Sequence, residues 1–285
     1  MEIITSNKNE KIKRLASLLK SKKSRDEQGV FVIEGIRLFK DTLKTASNYI
    51  ESVFICEGFQ NRSADSSSEE ASILISTSSL LSNNINIYCI KDSVFEAISG
   101  TVTSQGIMAI VRKPVYTLDS ILSPGSDEGK SIYPNTTVPG SGRCYLVLEN
   151  IQDPGNLGTM LRTAEAAGMN GIVMSGDCTD IFSPKVVRSS MGSIFRMPFV
   201  YCEDFLAGIN EIKKKGATVY AAYLHGGVSY KEIVFENNYA ILIGNEGNGL
   251  TEQAVNAADI RIFIPMQGEI ESLNAAIAAA ILMYK

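Results

Sequence analysis

A chain of 285 residues has room for two modest domains, each with its own core. An apolar share of 45% beside 20% charged residues is that of a globular protein, and no apolar run reaches the roughly 18–20 residues that span a bilayer, which excludes a membrane protein. The net charge of −4 argues against a protein that coats nucleic acid, yet residues 1–44 hold eleven Lys and Arg against six Asp and Glu. Such a local excess is expected where one module touches phosphate, and it equally fits a solvated helical face.

Along the chain, Ile12, Leu15, Leu18 and Leu19 recur at helical spacing between lysines, which predicts a basic amphipathic helix over 7–22. VFVIEG (30–35) reads as a strand, 36–46 as a helix and 52–56 as a strand. The serine-rich stretch 61–72 reads as a surface loop, followed by strands at 73–76, 87–90 and 106–111 and a helix at 94–99. Residues 112–143, with Pro114, Pro124, Pro134 and Pro139, have loop composition and mark the domain boundary. Beyond it, apolar strands at 145–149, 171–174, 217–223, 239–244 and 260–265 alternate with helices near 157–167, 184–190, 203–215, 251–257 and 272–284. That is the rhythm of a mostly parallel sheet covered on both faces, whose ligands bind beyond the carboxyl ends of its strands.

No secretory signal is legible at the start, so the expected location is the cytoplasm. Five scattered cysteines without a Cys-x-x-Cys pair, and His225 as the single histidine, argue for buried reduced thiols and against a zinc site, so no metal is expected. His225 itself, before Gly226 and Gly227, reads as a loop residue.

Three segments at strand ends carry chemistry. In ENIQDPGNLGTMLRTAEAAG (149–168), Asn156 is placed to cap a helix whose apolar face is Leu157, Met160, Leu161 and Ala164, with Gly168 closing it and Asp153-Pro154-Gly155 as a turn. Arg162 lies off that face, within reach of a strand-end ligand or simply on the surface. IGNEGNGL (243–250) puts Glu246 among glycines that permit close backbone approach, although Gly244, Gly247 and Gly249 lack the dinucleotide spacing and a plain glycine-rich turn fits as well. In IPMQGEIESLNAAIAAAILMYK (264–285), Ser272 or Asn274 begins an alanine-rich helix apolar nearly all round, buried in the core or against a second copy of the chain.

In this order and at these separations the three segments resemble the motifs of the SpoU/TrmH RNA 2′-O-ribose methyltransferases of the SPOUT superfamily, and MGSIFRMPF (191–199) is similar to the segment between the first two. Residues 1–112 resemble the family's RNA substrate-binding extension, most clearly in VFVIEGIRLFKDTL (30–43). The resemblance implies an α/β protein: a substrate-binding domain of the L30e/L7Ae-like kind at 1–112, a linker at 113–142, and at 143–285 a SPOUT-type parallel sheet with a deep trefoil knot. It implies S-adenosyl-L-methionine as cofactor and a homodimer. It carries catalytic roles to Asn156, Arg162, Glu246, Ser272 and Asn274, and cofactor contacts to Gly244, Ile264 and Leu273. After Ser272-Leu273-Asn274 the chain departs from the family pattern, with Ala276 where a hydroxyl is more usual.

The implied activity is methyl transfer to a ribose 2′-hydroxyl of structured RNA, with rRNA preferred over tRNA because a folded N-terminal extension suits structured RNA. The basic residues expected to contact it are Lys20, Lys22, Lys23 and Arg25. A guanidinium with a pKa above about 12 is a poor base, so Arg162 is expected to anchor phosphate and ribose and to stabilise charge growing on the oxygen. A non-catalytic RNA-binding protein of the same fold would have lost the polar set that is present here. A nicotinamide dehydrogenase is opposed by the glycine spacing and the scarcity of histidine.

Overall fold

In the computed structural model, residues 3–62, 70–73, 85–100, 104–123 and 142–285 are described. They form two compact units, one of residues 1–114 with 182–188 and the other of 115–181 with 189–285.

In the first unit the helix expected over 7–22 runs from Glu10 to Lys20, and a second, unexpected helix follows it. Asn9 caps the helix Glu10–Lys20 by accepting from the Lys11 amide, and Ile12, Leu15 and Leu18 are buried. Ser21 then caps a second helix, Lys22–Gln28, which Gly29 stops in the left-handed region at φ 64°. The break between them is held by Arg25, which is 4% exposed and donates to the Leu18 carbonyl at 2.6 Å. The strands β1 (Ile3–Ile4), β2 (Val30–Glu34), β3 (Ile50–Cys56), β4 (Asn86–Ile90) and β5 (Ile107–Arg112) form one sheet in the order β1-β4-β3-β5-β2, with β5 antiparallel to both neighbours. Helices Ile36–Thr45, Glu57–Arg62 and Asp92–Ile98 also belong to this α/β unit. The loop expected from 61 begins instead inside the helix Glu57–Arg62, and Ile73 lies in a helical turn; the rest of the strand expected at 73–76 falls outside the described residues.

The second unit is a seven-stranded, all-parallel sheet in the order β10-β12-β9-β11-β6-β7-β8. Its strands are β6 (Cys144–Leu148), β7 (Gly171–Ser175), β8 (Phe199–Cys202), β9 (Thr218–Ala222), β10 (Val228–Ser229), β11 (Tyr239–Ile243) and β12 (Ile260–Phe263). The central strands are buried almost throughout, as a parallel sheet covered on both faces requires. The sequence reading lacked β8 and β10, both short and at the sheet edges. Chain order runs outward from β6 to β8 and resumes at β9 beyond β11, so the adjacent ends of β6 and β11 form the point where the order reverses, the usual place for a ligand. Residues 113–123 are not all loop, since Thr117 caps the short helix Leu118–Leu122 and Ile121 and Leu122 enter this unit's core.

Candidate active site

The helix after β6, Pro154–Ala166, begins three residues earlier than its apolar face suggests. Asp153 is the cap, accepting from the Asn156 amide at 2.8 Å, and Pro154 fits the first turn because its missing N–H has no helical partner there. Asp153-Pro154-Gly155 is therefore the helix start and not a separate turn, and Asn156 is freed from capping. Its side chain turns to the loop after β11. Gly168, at φ 75°, closes the helix as expected.

That loop is closed by paired backbone hydrogen bonds between Asn245 and Gly249, both 3.0 Å. A Cβ at Gly244 would stand 2.2 Å from the Gly249 carbonyl carbon, so only glycine allows the strand end and the loop to meet. Glu246 sits at the tip. Its carboxylate accepts from the Gln152 amide at 3.1 Å, and from the Asp153 amide and Asn156 Nδ2 at 3.0 Å each. Partial burial disfavours its charge, but the hydrogen bond from Asn156 and those from the Gln152, Asp153 and Glu246 amides outweigh this and hold its pKa below the usual glutamate range. The stabilisation from this carboxylate is complete above the unfolded value near about 4.3 and is lost as pH falls through the lower native one.

Asn274 joins the same cluster. It, and not Ser272, caps the last helix, Ala275–Met283: its Oδ1 accepts from the Ala276 amide at 2.9 Å and the Ile277 amide at 3.3 Å. Its Nδ2 donates to Asn156 Oδ1 at 2.9 Å. The direction of this chain of bonds is forced. An ionised carboxylate only accepts, so Asn156 presents its NH2 to Glu246 and its oxygen to Asn274, whose own oxygen is taken by the helix N–H groups. Each amide nitrogen keeps a second N–H, and the cluster offers donors to a ligand oxygen.

The other expected residues are placed less tightly. Arg162 is exposed on its helix and has no hydrogen-bond or ion-pair partner among the described residues. Ser272 is exposed, Leu273 and Ile264 are half-buried, and Gly244 is buried at the end of β11. Gly244 and Ile264 follow parallel strands with β9 between them, so both lie along the carboxyl edge of the sheet. A donor-rich cluster beside backbone that only glycine permits suits an oxygen-bearing cofactor such as S-adenosylmethionine. Among the described residues no three His, Cys, Asp or Glu side chains are grouped to hold a metal ion. His225 is an exposed loop residue, edge-on to the Tyr223 ring. Cys56, Cys89, Cys178 and Cys202 are buried free thiols and Cys144 is half-buried; burial raises the pKa of each.

In the first unit Lys20, Lys22 and Lys23 are exposed, with Lys23 3.8 Å from Glu27. Arg25 leaves the expected RNA-contacting set, because its guanidinium is spent on helix carbonyls inside the protein.

Sequence reasoning missed Glu149, Asn150, Asn245 and Thr251, which fix the loop. Asn245 Nδ2 donates to the Asn150 carbonyl at 2.8 Å, and buried Glu149 accepts from Thr251 N at 2.8 Å and Thr251 Oγ1 at 2.7 Å. The available signal was Thr251 before Glu252-Gln253-Ala254, a helix-capping pattern.

Residues 143–284 match the SpoU rRNA Methylase family, and residues 9–109 match the MRM3-like substrate binding domain. The chain is 32% identical to the 23S rRNA (guanosine(2553)-2′-O)-methyltransferase RlmP of Bacillus subtilis, over 100% of this chain and 98% of that protein. Among solved structures it resembles a rRNA methyltransferase from Sinorhizobium meliloti with S-adenosylmethionine bound, at TM-score 0.79 and 28% identity over 99% of this chain and 96% of that one. The SpoU methyltransferase AviRb of Streptomyces viridochromogenes shares the fold, at TM-score 0.76 and 23% identity over 97% and 95% of the two chains.

Proposed function

The chain belongs to the SpoU rRNA Methylase family and is an S-adenosylmethionine-dependent RNA ribose 2′-O-methyltransferase; from this premise we propose that its substrate is ribosomal RNA. The observation that carries the site assignment is the directed hydrogen-bond chain from the helix N-terminus through Asn274 and Asn156 to Glu246, which ties all three motif segments together. The preference for ribosomal RNA rests on the end-to-end likeness to a 23S rRNA enzyme, N-terminal unit included.

Backbone at Gly244, Ile264 and Leu273 is assigned to the cofactor, which when bound supplies the sulfonium methyl group. The second N–H groups of Asn156 and Asn274, with the exposed Ser272 hydroxyl, orient ligand oxygens. Glu246 has both oxygens occupied and a lowered pKa, so it positions Asn156 and does not accept the substrate proton. Arg162, unpaired among the described residues, anchors RNA phosphate and stabilises the charge growing on the 2′-oxygen, whose proton leaves to water or phosphate. Lys20, Lys22 and Lys23 supply electrostatic RNA affinity in a substrate-binding domain at 1–112.

We assign a homodimer through the last helix: Ala275, Ala276, Ala279 and Leu282 are buried within the chain, while Ile277 is 51% and Tyr284 64% exposed. A trefoil knot is supported by the path after β12, which returns past β9 so that Ala275–Met283 packs on Pro154–Ala166 and β11. The enzyme is assigned to the cytoplasm, with its RNA. Purified protein with methyl-tritiated S-adenosylmethionine should label ribosomal RNA, with the label in 2′-O-methylated nucleosides and undiminished by excess EDTA. Label confined to transfer RNA would overturn the substrate assignment, and cofactor binding without transfer to any RNA would favour the non-catalytic protein.

A further inference from the structure

We propose that Glu149 is a positioning residue for the cofactor loop, acting through Thr251. The inference rests on the assignment of the 244–250 loop to S-adenosylmethionine. Glu149 is the first residue beyond β6 and only 8% exposed, yet among the described residues its carboxylate meets only the neutral amide and hydroxyl of a single residue, Thr251, at 2.8 and 2.7 Å. Its own amide donates to the Ile243 carbonyl at 2.9 Å, at the opposite end of the same loop. The loop is thus gripped on both sides by one residue of the neighbouring strand, and Asn245 adds a third tie to the next residue, Asn150.

The side-chain chemistry explains why a carboxylate stands there. Thr251 Oγ1 must accept from the Ala254 amide at 3.2 Å to cap the helix Glu252–Ala257, so it has its proton to give and turns it towards Glu149. Both atoms of Thr251 facing Glu149 act as donors, and the carboxylate meets each with its own oxygen in a charge-assisted bond. A glutamine of the same shape offers one oxygen and one NH2, so it keeps both contacts only if Thr251 Oγ1 reverses its role and accepts, and both bonds lose their charge assistance. Loss of one bond releases the segment that follows Gly249 and Leu250, and with it the backbone bridge that Gly244 closes.

The test is calorimetric titration of S-adenosylmethionine into the full-length wild type, Glu149→Gln, Thr251→Val and the double variant, well below their melting temperatures. Each single variant should raise Kd about tenfold, and the double variant no further, because the two residues act through one contact. Thr251→Ser, which keeps the hydroxyl, should return Kd to within about twofold of wild type. Rate at saturating cofactor should change much less than KM for the cofactor. A Glu149→Gln protein that melts earlier but binds with wild-type Kd would reduce Glu149 to a stabilising contact and sink the proposal, as would additive effects in the double variant. If Glu149→Gln does not fold, Thr251→Val with unchanged Kd has the same force. A wild type that fails to bind the cofactor would instead refute the loop assignment beneath it.

Discussion

At the ends of β6 and β11 nearly every polar side chain is held by a backbone group or by another held side chain, whereas Lys20, Lys22 and Lys23 of the N-terminal helices lie exposed on long stems. Glu246 has three donors within 3.1 Å, and Asn156 and Asn274 have one possible orientation each. Lys23, by contrast, is 84% exposed and reaches only a 3.8 Å ion pair one helical turn away. The difference follows from what each region does. A group that must face a reacting atom has to be fixed before the ligand arrives, since its placement cannot be paid for during the reaction, while phosphate affinity through counterion release needs only charge near the surface.

Arg162 crosses this division, because it lies in the catalytic unit yet is exposed and unpaired among the described residues. Arg162→Ala should therefore show the largest effect, a fall of about 100–1,000-fold in kcat, the range for losing an oriented donor at a developing oxyanion. Folding and cofactor affinity should hold, which thermal melting and calorimetry would check. Arg162→Lys should recover part of the rate without a new ionisation in the pH profile, because charge is kept while the planar fork is lost. Near wild-type turnover in Arg162→Ala would confine the chemistry to the pre-fixed cluster.

A smaller effect tests the other region. Replacing Lys20, Lys22 and Lys23 together by Ala should weaken RNA binding and flatten the slope of log K against log salt by about two to three, one increment for each lost phosphate contact. Cofactor Kd should not move. An unchanged slope would make these lysines a solvated face and leave RNA recognition to other residues.

Much of this was legible in the sequence, for identifiable reasons. The parallel strands announced themselves as apolar runs, and Gly244, Glu246 and Asn274 stood in segments whose order and spacing resemble a known family. Burial and hydrogen-bond direction were not legible. Periodicity put the cap at Asn156, three residues past the true cap Asp153, since both residue types cap well and the apolar face begins only at Leu157. Glu149 looked like any acid at a strand end, because its partner Thr251 lies 102 residues away. Short edge strands such as β10 bury too little to leave a pattern.

Arg25 gives the sharpest version of the comparison, because on charge alone it belongs with Lys20, Lys22 and Lys23. It lies on the helix Lys22–Gln28 but points inward, 4% exposed, with its guanidinium on the Leu18 carbonyl at 2.6 Å. That carbonyl lies in the last turn of the preceding helix, where carbonyls lack helical partners and a buried one without a donor costs about 1–3 kcal/mol. Arg25→Ala should therefore lower stability by roughly that amount in denaturant unfolding, with the salt slope of RNA binding unchanged once the protein is assayed where it is folded. Arg25→Lys should recover little of the loss, since an ammonium on a flexible stem lacks the planar fork that holds the carbonyl. A slope that falls by about one in Arg25→Ala, with stability intact, would show the guanidinium meeting phosphate and return Arg25 to the binding set.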